Sequence, residues 1–187
     1  MGARGQAVAL TRERILEAGR SWGLDDLVLD PTLDQVAERA GVSVQTVLRH
    51  FGTRAALLEA VADHAQRAVE TERRPVTGDP ASAVDAILEH YEHLGDFSLA
   101  VLAREAVDPR AAEVASAGKA LHRRWVEESF AAAQPAAPPR REVLVDLLVV
   151  ATDVYAWKLL RRDLAHALPV VRERMLALVE AVLATAS

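Results

Sequence analysis

Between Thr32 and Phe51 the chain reads TLDQVAERAGVSVQTVLRHF, a run that admits very few local folds. Leu33, Val36, Ala37 and Ala40 recur at the spacing of a single helical face. Thr32 stands where that helix needs an N-cap, and Gln35, three residues on, completes a capping box. Gly41 supplies the permissive backbone that a helix C-terminus wants, Val42 plugs the angle between two helices, and Ser43 caps the second. Val47 and Phe51 then face inward. Val44, Gln45, Thr46, Leu48, Arg49 and His50 are left outward on a short projecting helix. A merely solvated helix would carry Glu and Lys there. The amide, hydroxyl, guanidinium and small apolar groups found instead are those that engage DNA bases and phosphates.

Upstream, Thr11 is expected to cap a helix whose Ile15, Ala18, Gly19 and Trp22 form a third apolar stripe, so that Leu10 to Phe51 makes a three-helix cluster with its own core. Downstream, Gly52-Thr53-Arg54 opens a fourth helix. In these residues the chain resembles the TetR family of bacterial repressors. Thr11-Arg12, Ile15-Leu16, Ala18, Thr32, Val36-Ala37, Ala40-Gly41-Val42-Ser43, Thr46, His50-Phe51 and Leu57-Leu58 all fall at that family's spacings. Leu48 stands where the family usually has Tyr, Gln45 where it usually has Gly or a small residue, and Arg54 where it has a phosphate-binding Lys.

At 187 residues and 51% hydrophobic content, the chain is long enough for a sizeable core. The expected division is a helix-turn-helix DNA-binding domain over 1–53 and a ligand-binding and dimerisation domain over 54–187. No N-terminal apolar leader is apparent, and the most apolar run, Val143 to Ala156, is interrupted by Asp146 and Asp153. A cytoplasmic protein without a membrane span is expected. The absence of cysteine excludes disulfides and thiolate metal sites.

The net charge of −5 argues superficially against nucleic acid. Phosphate binding responds to the local field, however, and from Gln45 to Leu58 the chain carries Arg49, His50 and Arg54 with no acid. Weak non-specific binding, raised to useful affinity by two-fold avidity, is the expectation. Gln45 and Arg49 are assigned to base edges, Val44 and Leu48 to thymine methyls, and Thr46, His50, Thr53 and Arg54 to phosphates, with Thr32 contributing from the preceding helix.

Beyond Phe51 nothing alternates with the period of a strand, and an all-α fold of about nine helices is predicted. Punctuation places the later ones from Thr53 to about Arg74, Pro80 to Leu94, a break at Gly95-Asp96, a helix to about Val107, then Asp108 to about Ala133. A loop over Pro75 to Asp79 and a proline linker over Pro135 to Pro139 separate them, and the last two helices span about Arg140 to Arg162 and Pro169 to Ala184. The penultimate helix carries Val143, Leu144, Leu147, Leu148, Val150, Ala151, Val154 and Tyr155 around most of its circumference; the last carries Val171, Met175, Leu178, Val179, Val182 and Leu183. Such helices need burial on nearly all sides. Either they lie at the centre of a monomeric bundle, or two copies pair them into a four-helix bundle, as the resembled family does.

The family resemblance further implies a small-molecule effector among the middle helices, where it tilts the fourth helix and changes the separation of two reading heads. His90, Tyr91, Phe97, His122, Trp125 and Tyr155 are the candidate lining residues, with His93, Phe130 and Trp157 nearby in sequence pattern. Trp125, His122 and Tyr155 are favoured. Each could instead be ordinary core. His90 and His93 share a spacing compatible with two metal ligands, but a solvated face explains them better, and no metal or cofactor is expected. Arg161-Arg162 suit a helix C-terminus. No phosphate loop, nucleophile elbow, zincin or di-iron signature is present, so no catalytic residue is assigned. The expected partners are inverted-repeat duplex DNA, a second copy of the chain and an unidentified effector. A dimeric regulator without any effector is the alternative.

Overall fold

The computed structural model describes residues 3–26, 29–74 and 78–185, which are helical with no strand among the described residues. In order they form α1 (Ala3–Asp26), α2 (Leu33–Ala40), α3 (Val44–Phe51), α4 (Arg54–Glu72), α5 (Pro80–Arg104), α6 (Pro109–Ser129), α7 (Pro138–Ala151), α8 (Val154–Lys158) and α9 (Leu168–Ala184). No helix among the described residues is long and apolar enough to cross a membrane. Two compact units result, Met1–Ala68 and Val69–Ser187. The packing boundary falls well after Thr53 because Leu57 is wholly buried in the N-terminal core and Val61 packs against that core.

In the N-terminal unit Ile15, Ala18, Val36, Ala37, Ala40, Val47 and Leu57 form one cluster. Burying each of its larger side chains contributes about 1.5–3 kcal/mol. Trp22 adds a directed tie, its indole N–H donating to the Gln35 carbonyl at 2.9 Å. Gly19 belongs to the packing for a steric reason, since a Cβ there would sit 2.5 Å from Val61 Cγ2. The expected cap at Thr11 is not where α1 begins. The helix starts at Ala3, and the Thr11 hydroxyl donates back to the Ala7 carbonyl at 2.9 Å. The preceding turns leave Val8 and Leu10 exposed, so apolar periodicity could not register them.

In the C-terminal unit α5 packs against α6, α8 and α9, and α7 packs against α6 and α9. Ile87, Leu148, Trp157, Val171, Met175 and Val179 are completely buried at its centre. The break expected at Gly95-Asp96 does not occur, and α5 runs unbroken to Arg104. Gly95 is there for space, because a Cβ would lie 2.5 Å from the Trp157 ring. The continuous helix expected over Arg140 to Arg162 is instead divided. Thr152 turns its hydroxyl back to the Leu148 carbonyl at 2.7 Å, and Asp153 caps α8 by accepting from the Tyr155 amide at 2.8 Å. After α8 the chain makes a π turn over Leu159–Asp163. Arg161 and Arg162 stand in the last turn of that segment, as a helix C-terminus suits, and also reach α5, the first forking onto Glu92 at 3.0 Å and the second onto Asp96 at 3.0 Å. Pro138 and Pro139, read as linker, are the first residues of α7, where a missing N–H is no loss. Of the loop expected from Pro75 to Asp79, residues 75–77 lie outside the described residues.

Candidate nucleic-acid interface

The turn before α3 is built as its sequence requires. Thr32 accepts from the Gln35 amide at 3.2 Å while Gln35 Oε1 accepts from the Thr32 amide at 2.8 Å, closing the capping box. Gly41 adopts φ 62°, ψ 39°, a left-handed geometry in which a side chain is strained. Its amide donates to Glu38 and that of Val42 to Ala37, each at 3.0 Å, so the last carbonyls of α2 are satisfied without a further helical turn. Ser43 then caps α3, accepting from the Thr46 amide at 3.2 Å. Val47 is wholly buried and Phe51 half-buried, the latter under the Arg12 guanidinium, 5.0 Å from its ring centre.

This framework sorts the outward residues into two kinds. Gln45 and Arg49, one turn apart and both exposed, have no hydrogen-bond or ion-pair partner among the described residues. Leu48 is exposed beside them, and His50, half-buried, makes only a ring contact with Phe51. Thr32, Thr46, Thr53 and Arg54 are already engaged. Thr32 closes the capping box, Thr46 shares a hydroxyl contact with Ser43 at 3.0 Å, and Thr53 caps α4 by accepting from Ala56 at 3.1 Å. Arg54 donates to the carbonyls of Pro31 and Asp30 at 3.1 and 2.9 Å and pairs with the Asp30 carboxylate. Its guanidinium fastens the start of α4 to the segment entering α2. Val44, read as outward, is half-buried against the core. Because α3 carries no acid, its exposed face is governed by a guanidinium, a neutral amide and an imidazole. Hydrogen-bond donors and acceptors aimed outward from a rigid helix are suited to major-groove base edges.

The family model of bacterial regulatory proteins, tetR family, matches residues 30–61, which contain this whole turn and the start of α4. Over those residues the chain carries the DNA-binding signature of the TetR family. That match supports a DNA-binding transcription regulator. The fold extends the likeness beyond the matched segment. A transcriptional regulator from Rhodococcus sp. Rha1 superposes with a TM-score of 0.64 at 20% identity, over 93% of this chain and 96% of the other. A TetR-family transcriptional regulator from Rhodococcus sp. gives 0.62 at 18% identity, over 92% and 98%. Among curated proteins none matches the sequence.

The residues expected to line an effector site divide within the C-terminal unit. His90, Tyr91, His122 and Trp125 are buried together. The Tyr91 hydroxyl donates to the Thr152 carbonyl at 2.9 Å, and the Thr152 hydroxyl lies 3.1 Å from His122 Nε2. His122 stacks on Trp125 with ring centres 5.6 Å apart. Tyr155 does not join them. It is 55% exposed, because the break at Thr152-Asp153 rotates α8 away from the direction a continuous helix would give it. Phe97 is half-buried on α5, beyond Gly95. His93 is exposed with Nδ1 on the Glu89 carbonyl, so it points away from buried His90, and no cluster of three metal-ligating side chains occurs among the described residues. Phe130 packs edge-on to Trp125, and Trp157 donates to Glu92 at 2.9 Å.

Arg73 is the group the sequence did not reveal. It follows α4 directly, is only 7% exposed, and lies over Tyr91 at 5.7 Å while its carbonyl accepts from Trp125 at 2.7 Å. At the end of a long helix an arginine reads as a dipole partner, and nothing in its neighbours marks it as internal. Burial, reinforced by this cation, depresses His90 to about 2 and His122 to about 4, so both rings are neutral near pH 7.

Proposed function

We propose that the protein is a repressor that binds an inverted-repeat operator as a homodimer, in the cytoplasm, and is released by a small-molecule effector. The observation that carries the DNA reading is the pair Gln45 and Arg49, exposed and unpartnered among the described residues, beside Thr46, Thr53 and Arg54, which are occupied. Gln45 then reads adenine and Arg49 guanine, with Leu48 against a thymine methyl and His50 on a phosphate. Thr32, Thr46, Thr53 and Arg54 orient the helix and meet phosphates only through what their internal bonds leave free.

Dimerisation is supported by what the protomer leaves uncovered. Most of the apolar stripe on α9 is consumed within the unit by Val171, Met175 and Val179. Val143, Leu147 and Val150 on α7 and Leu178 on α9 remain 41–67% exposed on two helices that pack together. A second copy covering them supplies the two α3 helices that a pair of half-sites about 34–36 Å apart requires. Effector and operator then oppose each other by favouring different separations of the two heads, each lowering the other's affinity by the same factor.

Selection of duplexes from a random pool, combined with mass measurement in solution, tests this reading. A dimer that enriches inverted repeats is expected; a monomer, or a dimer without sequence preference, contradicts it. The close packing of Tyr91, Trp125, Phe130 and Trp157 favours a second reading, in which the C-terminal unit only dimerises. A compound that raises the melting temperature and releases operator over the same concentration range decides against that alternative.

A further inference from the structure

Within the C-terminal unit a cation is buried without an anion in hydrogen-bond contact, the exposed carboxylate of Glu72 acting on it only from a distance. Arg73 is 7% exposed, its guanidinium makes no hydrogen bond or ion pair among the described residues, and its Nε is wholly enclosed and unsatisfied. His90, 5% exposed on α5, has an enclosed Nδ1 that is likewise unpaired. A surface arginine would be solvated and an ordinary buried one would hold a carboxylate. The group in contact with this one is the face of Tyr91. The fitting partner is thus a hydrogen-bond acceptor that carries negative charge, and a guanidinium with a free N–H edge is the protein group best matched to a planar carboxylate. Tyr91 and Trp125 both touch Arg73, so the body attached to such a carboxylate would meet aromatic surface.

We propose that Arg73, with His90 beside it, is a recognition site for the carboxylate of a small aromatic or apolar acid. The proposal rests on the effector reading above and names its chemical class. It also assigns the site to a residue directly following α4, the helix that begins at Arg54 just after the reading head, so that an acid drawn to Arg73 acts on the end of that helix.

The test uses the full chain near neutral pH, with benzoate, phenylacetate, cinnamate and naphthoate against their matching alcohols at about 10 mM. Melting temperature and operator anisotropy are read in parallel. At least one acid is expected to raise the melting temperature by more than its alcohol, and Arg73→Met to weaken that acid's binding by about tenfold or more. The free R73M protein is expected to remain folded, because the change removes an unpaired buried charge and retains the bulk of the side chain. Should R73M fail to fold, His90→Gln serves in its place, with a several-fold loss of acid affinity expected and no effect on the alcohols. Acids and alcohols that stabilise equally, or an acid effect that survives the variant, overturn the proposal. An acid that stabilises through Arg73 but leaves operator binding unchanged upholds the site and refutes the effector reading. Neutral compounds that release operator while no acid stabilises do the reverse.

Discussion

The polar chemistry of the N-terminal unit lies outside a framework closed by its own caps, whereas that of the C-terminal unit lies inside the core. Gln45 and Arg49 are held in place by atoms other than their own, by the Gly41 turn, the Ser43 cap and buried Val47. Their side chains contribute nothing visible to folding, and changing them is a question of recognition. Arg73, His90, His122 and Thr152 are enclosed, so that changing any of them alters both stability and whatever the unit binds. The difference teaches that one molecule can present free polar groups to solvent in one unit and enclose them within the core of the other.

The largest effect should come from charging the face proposed to join two copies. Leu147→Glu combined with Val150→Glu places charges on the exposed face of α7. The expected product is a folded monomer whose operator affinity is lower by about 10²–10⁴-fold, measured by mass in solution and by anisotropy. Retention of the dimer would move the interface elsewhere.

Next in size is Gly95→Ala, which tests how tightly the C-terminal core is filled. Helix propensity alone favours alanine by about 1 kcal/mol. The Cβ would nonetheless meet the Trp157 ring at 2.5 Å, and a net loss of about 1–3 kcal/mol in urea unfolding is expected. A stabilised variant would mean that the indole moves aside freely.

Arg49→Ala should cost about 1–3 kcal/mol of discrimination between operator and a single-base variant and leave the melting temperature where it was. A fall in stability comparable to that of Gly95→Ala would erase the contrast between the two units.

A smaller, pH-dependent effect belongs to the C-terminal unit. The folded state holds His122 at about 4 and His90 at about 2, below the roughly 6.5 of an unfolded histidine. The unfolded chain therefore binds more protons in acid, and stability falls as pH drops below about 6.5, by up to about 1.4 kcal/mol per pH unit for each ring. The loss from His122 ends near its folded value, and that from His90 continues lower. His122→Gln should flatten the upper part of the slope in denaturant midpoints taken across this range; an unaltered slope would assign it to other groups.

Smallest is Arg54→Ala. Its bonds to Pro31 and Asp30 predict a loss of about 1 kcal/mol of stability. A salt slope of operator binding that also falls by roughly 0.9 would show that the same guanidinium reaches a phosphate. An unchanged slope would confine it to the tie.

Legibility differed between the units for a physical reason. The capping box, the left-handed glycine and the cap on α3 are interactions within a few residues of one another, and local spacing specifies them. The start of α1 was missed because exposed Val8 and Leu10 carry no periodic burial signal. In the C-terminal unit Gly95 resembled a helix breaker and Thr152-Asp153 resembled helix interior, and both were decided by distant groups. The Trp157 ring needs the space at Gly95, and Tyr91 takes up the Thr152 carbonyl freed near the break. Arg73 carried no sequence signal, since its neighbours in the chain are polar and its enclosure depends on Tyr91 and Trp125 from α5 and α6.

By itself, then, the sequence determined an all-helical chain, the helix-turn-helix and the outward display on α3, because hydrogen bonds between near neighbours and a single backbone conformation suffice for these. Only the tertiary structure decided which aromatic and basic side chains of the C-terminal unit are enclosed, where its helices break and which apolar faces stay open. Burial is a property of packing between elements remote in sequence, and a helix has several faces that its own residues cannot rank.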